Sequence, residues 1–559
     1  MKRIFLSIAA ACVIFNAAAQ QTFFSGGGHV VLKDKAQKTF LLLPVQENKD
    51  GANIQIISDG KVEQSLNVKL AVDKIDYFVP LSIEKFSGKN LVFDIEFWGG
   101  EKQTADVKNY LCWKEIHQSN DFDTQNKEHF RPEFHHTPLY GWMNDPNGMF
   151  YFDGKYHLYY QWNPYGSQWE NMTWGHSVSN DLVNWSLEQP AILPDGLGTI
   201  FSGSCVVDKN NSAGFGKNAV IAFYTSAGRN QTQSMAYSTD GGKTFSKYEG
   251  NPVLTDENRD FRDPKVFFNE SINCWNMILA VGQEMKIYSS LDLKNWNYES
   301  SFGQGFGCHD GVWECPDLMK IGDKWLLICN INPGGIFGGS ATQYFIGDFD
   351  GKKFVTTQKD TKWLDYGKDH YATVTFSNAP DNRKIALAWM SNWQYGNDVP
   401  TKQFRSANSV PRDLFIFEAD GEKFCGSKPS DELLKLRQKV IKSPSETCEI
   451  LATLKGDAKI TLSNTKNENV TITYNAKTKV LTFNRKQSGE ISFSKDFAAE
   501  TSVKVPGGSK TLRIFVDKCS IEVFDGEGKA VMTNLVFPSE YYSLIAATGC
   551  KTTIYQLQK

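Results

Sequence analysis

Three short segments of this 559-residue chain put a carboxylate on stiff backbone among aromatic or charged neighbours. In Trp142-Met143-Asn144-Asp145-Pro146-Asn147-Gly148, Pro146 restricts Asp145 to an extended conformation, and the Asn147-Gly148 pair is expected to turn the chain immediately afterward. In Arg262-Asp263-Pro264, a fixed positive charge beside the acid is expected to keep it ionised. In Trp313-Glu314-Cys315-Pro316-Asp317, flanking aromatic and apolar surface is expected to desolvate Glu314 and raise its pKa toward the range a general acid needs. Taken singly, each acid also has a plain reading: a turn acid for Asp145, a surface ion pair for Asp263, a solvated strand-end residue for Glu314. Together they supply the charged and protonated carboxyls of acid–base chemistry, provided the fold brings them to one place.

Asp145 and Glu314 are 169 residues apart, so only long-range architecture can join them. Helical periodicity is scarce, while short runs of β-branched and aromatic residues alternate with Gly, Asn and Asp turns, which predicts a mostly β chain. Residues of about 21–125 hold strand candidates at Thr39–Val45, Asn53–Ser58 and Asn90–Phe97, and a polar stretch from Gln118 to Glu128 reads as a linker. From Arg131 to about Phe417 the strands come in hairpins, such as Met149–Phe152 with Tyr156–Trp162. A loose repeat runs through this region: Ser179–Trp185, Ser238–Phe245 and Ser290–Trp296 each place an Asp in a turn before an aromatic, with Asp181, Asp240 and Asp292 spaced 59 and 52 residues apart. That is near the length of a four-stranded propeller blade, and about 50 residues per blade leaves room for five or six. Ser430–Leu436 has an N-cap residue and an apolar stripe, predicting a short connecting helix. The alternating stretches that follow, among them Val470–Tyr474 and Leu512–Asp517, predict a β-sandwich.

Composition bounds the function. The 60 Lys and Arg against 63 Asp and Glu give a net charge of −3, which disfavours nucleic acid and anionic lipid as partners. The 14 Trp, 21 Tyr and 38 Phe hint at sugar stacking, although all-β cores also collect aromatics. Lys2 and Arg3, an apolar run from Ile4 to Phe15 and Ala17–Ala19 read as a signal peptide over residues 1–19. The chain is therefore expected to be periplasmic or extracellular, with a lipid anchor on Cys12 as the lesser alternative. No run is long enough to span a bilayer. Ten cysteines remain after such cleavage, without zinc spacing or a disulfide framework, and the nine histidines form no metal motif. No metal and no cofactor is indicated, and oligomeric state is not legible.

The three acid segments resemble those of glycoside hydrolase family 32, the invertase, inulinase and levanase family. Tyr159–Pro164, Ile200–Ser204, Asp365–Gly367 with Tyr371-Ala372, Trp389–Trp393 and Pro411–Leu414 share the resemblance, in the family's order from about Arg131 to near the C-terminus. It implies an all-β chain with a five-bladed propeller (128–425), then a connecting helix and C-terminal β-sandwich (426–559). The small N-terminal β domain (20–127) lies outside the pattern and has no assigned role. By the same resemblance Asp145 is the nucleophile, Glu314 the general acid/base and Asp263 a transition-state stabiliser. Asn144, Gln161, Trp169, Phe201, Ser202, Arg262 and Trp393 are expected to line a fructose pocket, with Asp317 near Glu314. Phe404-Arg405-Ser406 departs from the family's W-R-G, which puts leaving-group contacts there in doubt.

The implied activity is secreted, retaining, exo-type release of fructose from levan, inulin or sucrose, a reaction in which two carboxyl groups stand about 5–5.5 Å apart. A sialidase-like reading follows from the Asp-box form of Ser238–Phe245, but sialidases use a Tyr nucleophile and an arginine cluster that is not apparent here. A glycan-binding protein on a hydrolase scaffold is the non-enzymatic alternative.

Overall fold

The computed structural model describes residues 20–99, 106–123 and 127–559. The expected signal peptide over 1–19, with Cys12, lies outside the described residues, as does part of the expected linker. The chain divides into two units, 1–123 and 124–559.

The first unit is built from two antiparallel sheets. Five strands run in the order Gln21–Gly26, His29–Lys35, Asn90–Phe97, Ala52–Ser58 and Lys61–Val68, and three in the order Tyr77–Ser82, Phe40–Val45 and His117–Ser119. Burial alternates along Ala52–Ser58 and Asn90–Phe97, so Ile54, Ile56, Phe93 and Ile95 form one buried face.

The second unit opens with five sheets whose first strands are Gly141–Phe152, Thr199–Asp208, Phe261–Asn269, Val312–Ile321 and Tyr371–Thr375. Each first strand packs against that of the next sheet, and the fifth packs against the first, which closes a ring. The residue pattern left five or six blades open; there are five. Separate apolar cores fill the spaces between successive sheets. The repeated Asp turns hold these blades in shape. Asp181 accepts the backbone N–H of Val183 and Asn184 at 3.1 and 2.8 Å, Asp240 those of Lys243 and Thr244, and Asp292 those of Lys294 and Asn295. A fourth turn, unnoticed in the sequence, does the same through Asp350 with Lys352 and Lys353. The following aromatics Trp185, Phe245 and Trp296 pack against the inter-sheet cores, the second half of the expected motif.

The last strand of the fifth sheet, Glu422–Pro429, runs across the boundary expected at 425/426. The connecting helix is a 3-10 helix, Asp431–Leu436, burying Leu433 and Leu436. Ser430 does not cap it: its hydroxyl donates instead to Asp413 Oδ2 at 2.7 Å. In the sandwich that follows, two long strands, Cys448–Ser463 and Leu544–Leu557, pair with each other and carry the remaining strands. The register of that pairing breaks between Leu454 and Lys459. Cys448–Thr453 pairs with Thr511–Asp517, and Ala458–Ser463 with Asn469–Tyr474, so the break hands the ladder from one group of strands to the other.

Propeller and sandwich meet over buried charge. His135 bonds Asp517 through Nδ1 at 2.7 Å and Glu522 through Nε2 at 2.8 Å. Arg412 donates to Asp365 at 2.8 Å and to Glu522, and all five side chains are almost wholly buried. A second cluster joins Arg485 of the sandwich to Asp369, which also accepts the Tyr395 hydroxyl and the Leu535 N–H.

Candidate active site

Every inner strand of the ring carries a pairing irregularity, and in each case it falls where the site residues are. The register shifts lie between Met143 and Pro146 and between Asn147 and Phe150, between Ile200 and Gly203, between Arg262 and Lys265, between Glu314 and Asp317, and between Tyr371 and Val374. Asp263, Cys315 and Ala372 adopt left-handed backbone, with φ of 64°, 43° and 55°. Such bulges re-aim side chains, and for a non-glycine residue the conformation costs about 1–3 kcal/mol. Gly148 therefore lies in a bulge just after the paired Asn147, within one continuous strand, Gly141–Phe152, where a turn was expected. Gly148 has φ of 50°, and a Cβ there would stand 2.7 Å from the rings of Trp174 and Tyr159.

The bulges bring the three acids together. Asp145 Oδ1 accepts the Asn144 amide at 2.9 Å, and Oδ2 accepts the Ser202 hydroxyl at 2.6 Å. Cys315 sits between the acids, its thiol 3.4 Å from Asp145 Oδ2 and 3.5 Å from Asp263 Oδ2. Asp263 also accepts the Cys315 backbone N–H at 2.9 Å. Burial raises the pKa of Asp145; the Ser202 and Asn144 donors oppose the shift and the charge of Glu314 adds to it.

Two electrostatic expectations are corrected. Arg262 does not pair with its neighbour Asp263. It donates to Glu314 Oε1 from Nε and Nη2, at 3.1 and 2.9 Å, and from Nη1 to Asp260 at 2.7 Å and Gln231 at 3.2 Å. Burial pushes Asp263 up to about 7; Arg262 pulls down from a distance, and the charges of Glu314 and Asp145 push up. Glu314 in turn is not wrapped in apolar surface. Trp313 points away into the inter-sheet core with its Nε1 donating to Cys308 O, and Glu314 meets the guanidinium and the Tyr371 hydroxyl, which donates to Oε2. Strand alternation is the reason: Trp313 and Glu314 are adjacent and face opposite ways.

A cavity of about 560 Å³ opens over the acids, within the usual range for small-ligand sites. Asp145, Asp263, Glu314, Asn144, Gln161, Trp169, Phe201, Ser202, Arg262 and Trp393 all line it. Trp169 is 42% exposed and meets Phe201 edge-on at 6.0 Å, while Trp393 stacks on Trp142 at 5.7 Å. A separate void of only about 10 Å³ lies among the inner strands, lined by Ser202, Asp263, Cys315 and Thr375 among others.

Asp317 is not among the lining residues. It is fully buried, bonded by Lys265 Nζ at 2.8 Å and by the Thr375 N–H and hydroxyl at 2.7 Å. The Glu314–Asp317 bulge separates the two acids into layers. Three neighbouring strands repeat this division: Asp263, Glu314 and Tyr371 serve the site, and Lys265, Asp317 and Thr375 form a buried tie. Arg405 is likewise internal, donating to the carbonyls of Asn397 and Thr401.

Tyr371, Gln231, Asp260, Arg259 and Asn332 reach the site without having been singled out for it. Tyr371 stood in a noted motif, and Arg259 and Asp260 immediately precede the Phe261-Arg262-Asp263 run; Gln231 and Asn332 carry no sequence signal. Among the described residues there is no cluster of His, Cys, Asp and Glu suited to a metal, and the ten cysteines from Cys112 to Cys550 are free thiols.

The glycosyl hydrolases family 32 N-terminal domain matches residues 135–427, and the corresponding C-terminal domain matches residues 426–558. The chain belongs to glycoside hydrolase family 32. Residues 26–134 match a domain of unknown function, DUF4980. Among family 32 relatives, the levanase of Bacillus subtilis (strain 168) is 43% identical over 480 residues, covering 77% of this chain and 71% of its own length. The extracellular exo-inulinase of Aspergillus awamori is 34% identical over 507 residues, covering 76% and 93%. The crystal structure of exo-inulinase from Aspergillus awamori superposes with a TM-score of 0.73 at 30% identity, over 78% of this chain and 100% of that one. The β-fructofuranosidase of Schwanniomyces occidentalis complexed with fructosyl-erythritol gives 0.70 at 32%, over 78% and 100%. This family 32 protein is a glycoside hydrolase, with the five-bladed propeller and C-terminal β-sandwich expected from the motifs.

Proposed function

We propose that this protein is a secreted, retaining β-fructosidase that removes terminal fructose from levan, inulin or sucrose. Relatives named levanase, exo-inulinase and invertase support the substrate class, and those named extracellular support export. The observation that carries the chemistry is the cavity shared by Asp145 and Glu314, with the residue after Glu314 in contact with Asp145.

In this reading Asp145 attacks the anomeric carbon while Glu314 passes a proton to the departing oxygen, leaving a fructosyl ester on Asp145. Water then enters, Glu314 takes its proton, and the ester is cleaved with a second inversion, giving net retention. Ser202 and Asn144 orient the attacking carboxylate; Arg262 and Tyr371 orient Glu314. Asp263, when ionised, hydrogen-bonds fructose hydroxyls and offsets the positive charge that grows on the ring, a contact strongest in the transition state. The relative named exo-inulinase favours exo attack. Residues 20–127, 128–425 and 426–559 stand in this scheme as an N-terminal domain, the catalytic propeller and the sandwich.

Chromatography of products from levan, inulin and sucrose tests the proposal: fructose alone is expected, and a ladder of oligomers would refute exo action. Asp145→Asn should lower kcat by several orders of magnitude while fructan binding persists. Near-normal turnover by that variant would remove Asp145 from the nucleophile's role.

A further inference from the structure

Once the fructose ring occupies the floor of the pocket, the leaving group must be held by the rim, and the rim contains one cation with nothing to hold. Two arginines line the cavity. Arg262 is largely committed: four of its five N–H donors go to Glu314, Asp260 and Gln231. Arg259 is exposed, and its guanidinium makes no hydrogen bond or ion pair with any described residue. The acid beside it, Asp260, is taken by Arg262 at 2.7 Å and so does not neutralise it. Its backbone is set by a chain of local bonds: Asp256 Oδ1 accepts the Asn258 N–H at 2.9 Å and Asn258 Oδ1 accepts the Asp260 N–H at 2.9 Å, while Lys286 anchors Asp256. A free fork of donors thus stands on a braced loop at the mouth of the site. Arg405, in the segment that departs from the family's W-R-G, is committed to the carbonyls of Asn397 and Thr401 and does not line the cavity.

We propose that Arg259 is the ligand for the leaving sugar and sets leaving-group preference. Five N–H donors in a planar fork match vicinal hydroxyls on a pyranose or furanose ring, and the contact is charge-assisted. The partner class is a neutral hydroxyl-rich sugar, the glucose of sucrose or the penultimate fructose of a fructan. The contact is made before and during departure of that sugar and not to the fructosyl ester, so it acts on the first displacement and not on the second.

This rests on the β-fructosidase reading, and one set of assays separates the two. Sucrose and a fructotriose have leaving groups with hydroxyls to bind; 4-nitrophenyl β-fructofuranoside does not. In Arg259→Ala the ratio of kcat/KM for sucrose over the nitrophenyl substrate should fall about tenfold, the scale of one charge-assisted hydrogen bond, and Arg259→Lys should restore part of it. Losses shared equally by both substrates, or absent from both, would overturn the assignment of Arg259 while leaving the β-fructosidase reading intact. A wild-type protein that releases fructose from none of these substrates would overturn the β-fructosidase reading itself.

Discussion

Asp263 is under two opposed demands, since the reaction wants it charged and its surroundings favour the neutral form. Burial and two neighbouring carboxylates raise it to about 7, and Arg262 is the cation that resists. Because the ionised form is the useful one, activity should fall as pH drops through the titration of this coupled acid group, giving an acid limb in kcat/KM against pH. Arg262→Gln removes the opposing cation, so the limb should move to higher pH, and a limb that stays put or moves down would contradict the assignment. The acids themselves were legible in the sequence, because Pro and aromatic neighbours around a carboxylate are unusual enough to stand out. Their partners were not. Adjacent residues in a strand face opposite ways, so Arg262 beside Asp263 reads as a pair in the sequence and bonds Glu314 in the fold. Asp317, three residues past Glu314, was expected near it at the pocket by the family resemblance, and the intervening bulge takes it into the interior.

At the level of strands, bulges do the positioning, and they are what linear periodicity hides. Alternation identified the hairpins, but an extra residue in one strand of a pair leaves no mark beyond a Gly or Pro that also fits a turn, as at Asn147-Gly148. Gly148→Ala combines left-handed backbone with a Cβ 2.7 Å from two rings, and should cost at least about 2 kcal/mol of stability, read from urea unfolding, and most of the activity. The tie of Lys265, Asp317 and Thr375 spans three sheets directly below the acids. Lys265→Met strands the Asp317 carboxylate without its cation, and a loss of roughly 3–5 kcal/mol is expected. Adding Asp317→Leu should recover much of that stability, since two apolar side chains replace a buried pair more cheaply than one orphaned charge is endured. Non-recovery in equilibrium unfolding would show that the tie matters for its shape and not for its charge. The Asp turns, by contrast, were visible from the sequence in three of the four blades that carry one, because their bonds are local, within five residues.

Across the whole second unit, buried charge links propeller to sandwich, and its pH response can be worked out. Burial alone would push His135 down, but Asp517 and Glu522 raise it to about 9, so its stabilising contribution is complete below about 6.5 and lost as pH climbs through 9. Burial opposes ionisation of the two carboxylates as well; Arg412 then His135 hold Glu522 at about 2, and His135 leads in holding Asp517 low. Their contributions are present above about pH 4 and lost as pH falls toward 2. Melting temperature should therefore peak between roughly pH 4.5 and 6.5, and His135→Gln should lower the peak and flatten its alkaline side. An unchanged profile in that variant would mean that the charged form is not what joins the domains. No sequence rule pairs residue 135 with residues 517 and 522, because the contact exists only after both folds have formed. The same non-locality governs closure of the ring. Phe404–Arg405 adds in parallel beside Gly141–Trp142, clasping the first blade with a piece of chain made some 260 residues later. During synthesis the earliest blade therefore waits, edge bare and able to pair with a stranger, until the ribosome is part-way through the fifth sheet. A chaperone would have that interval to fill.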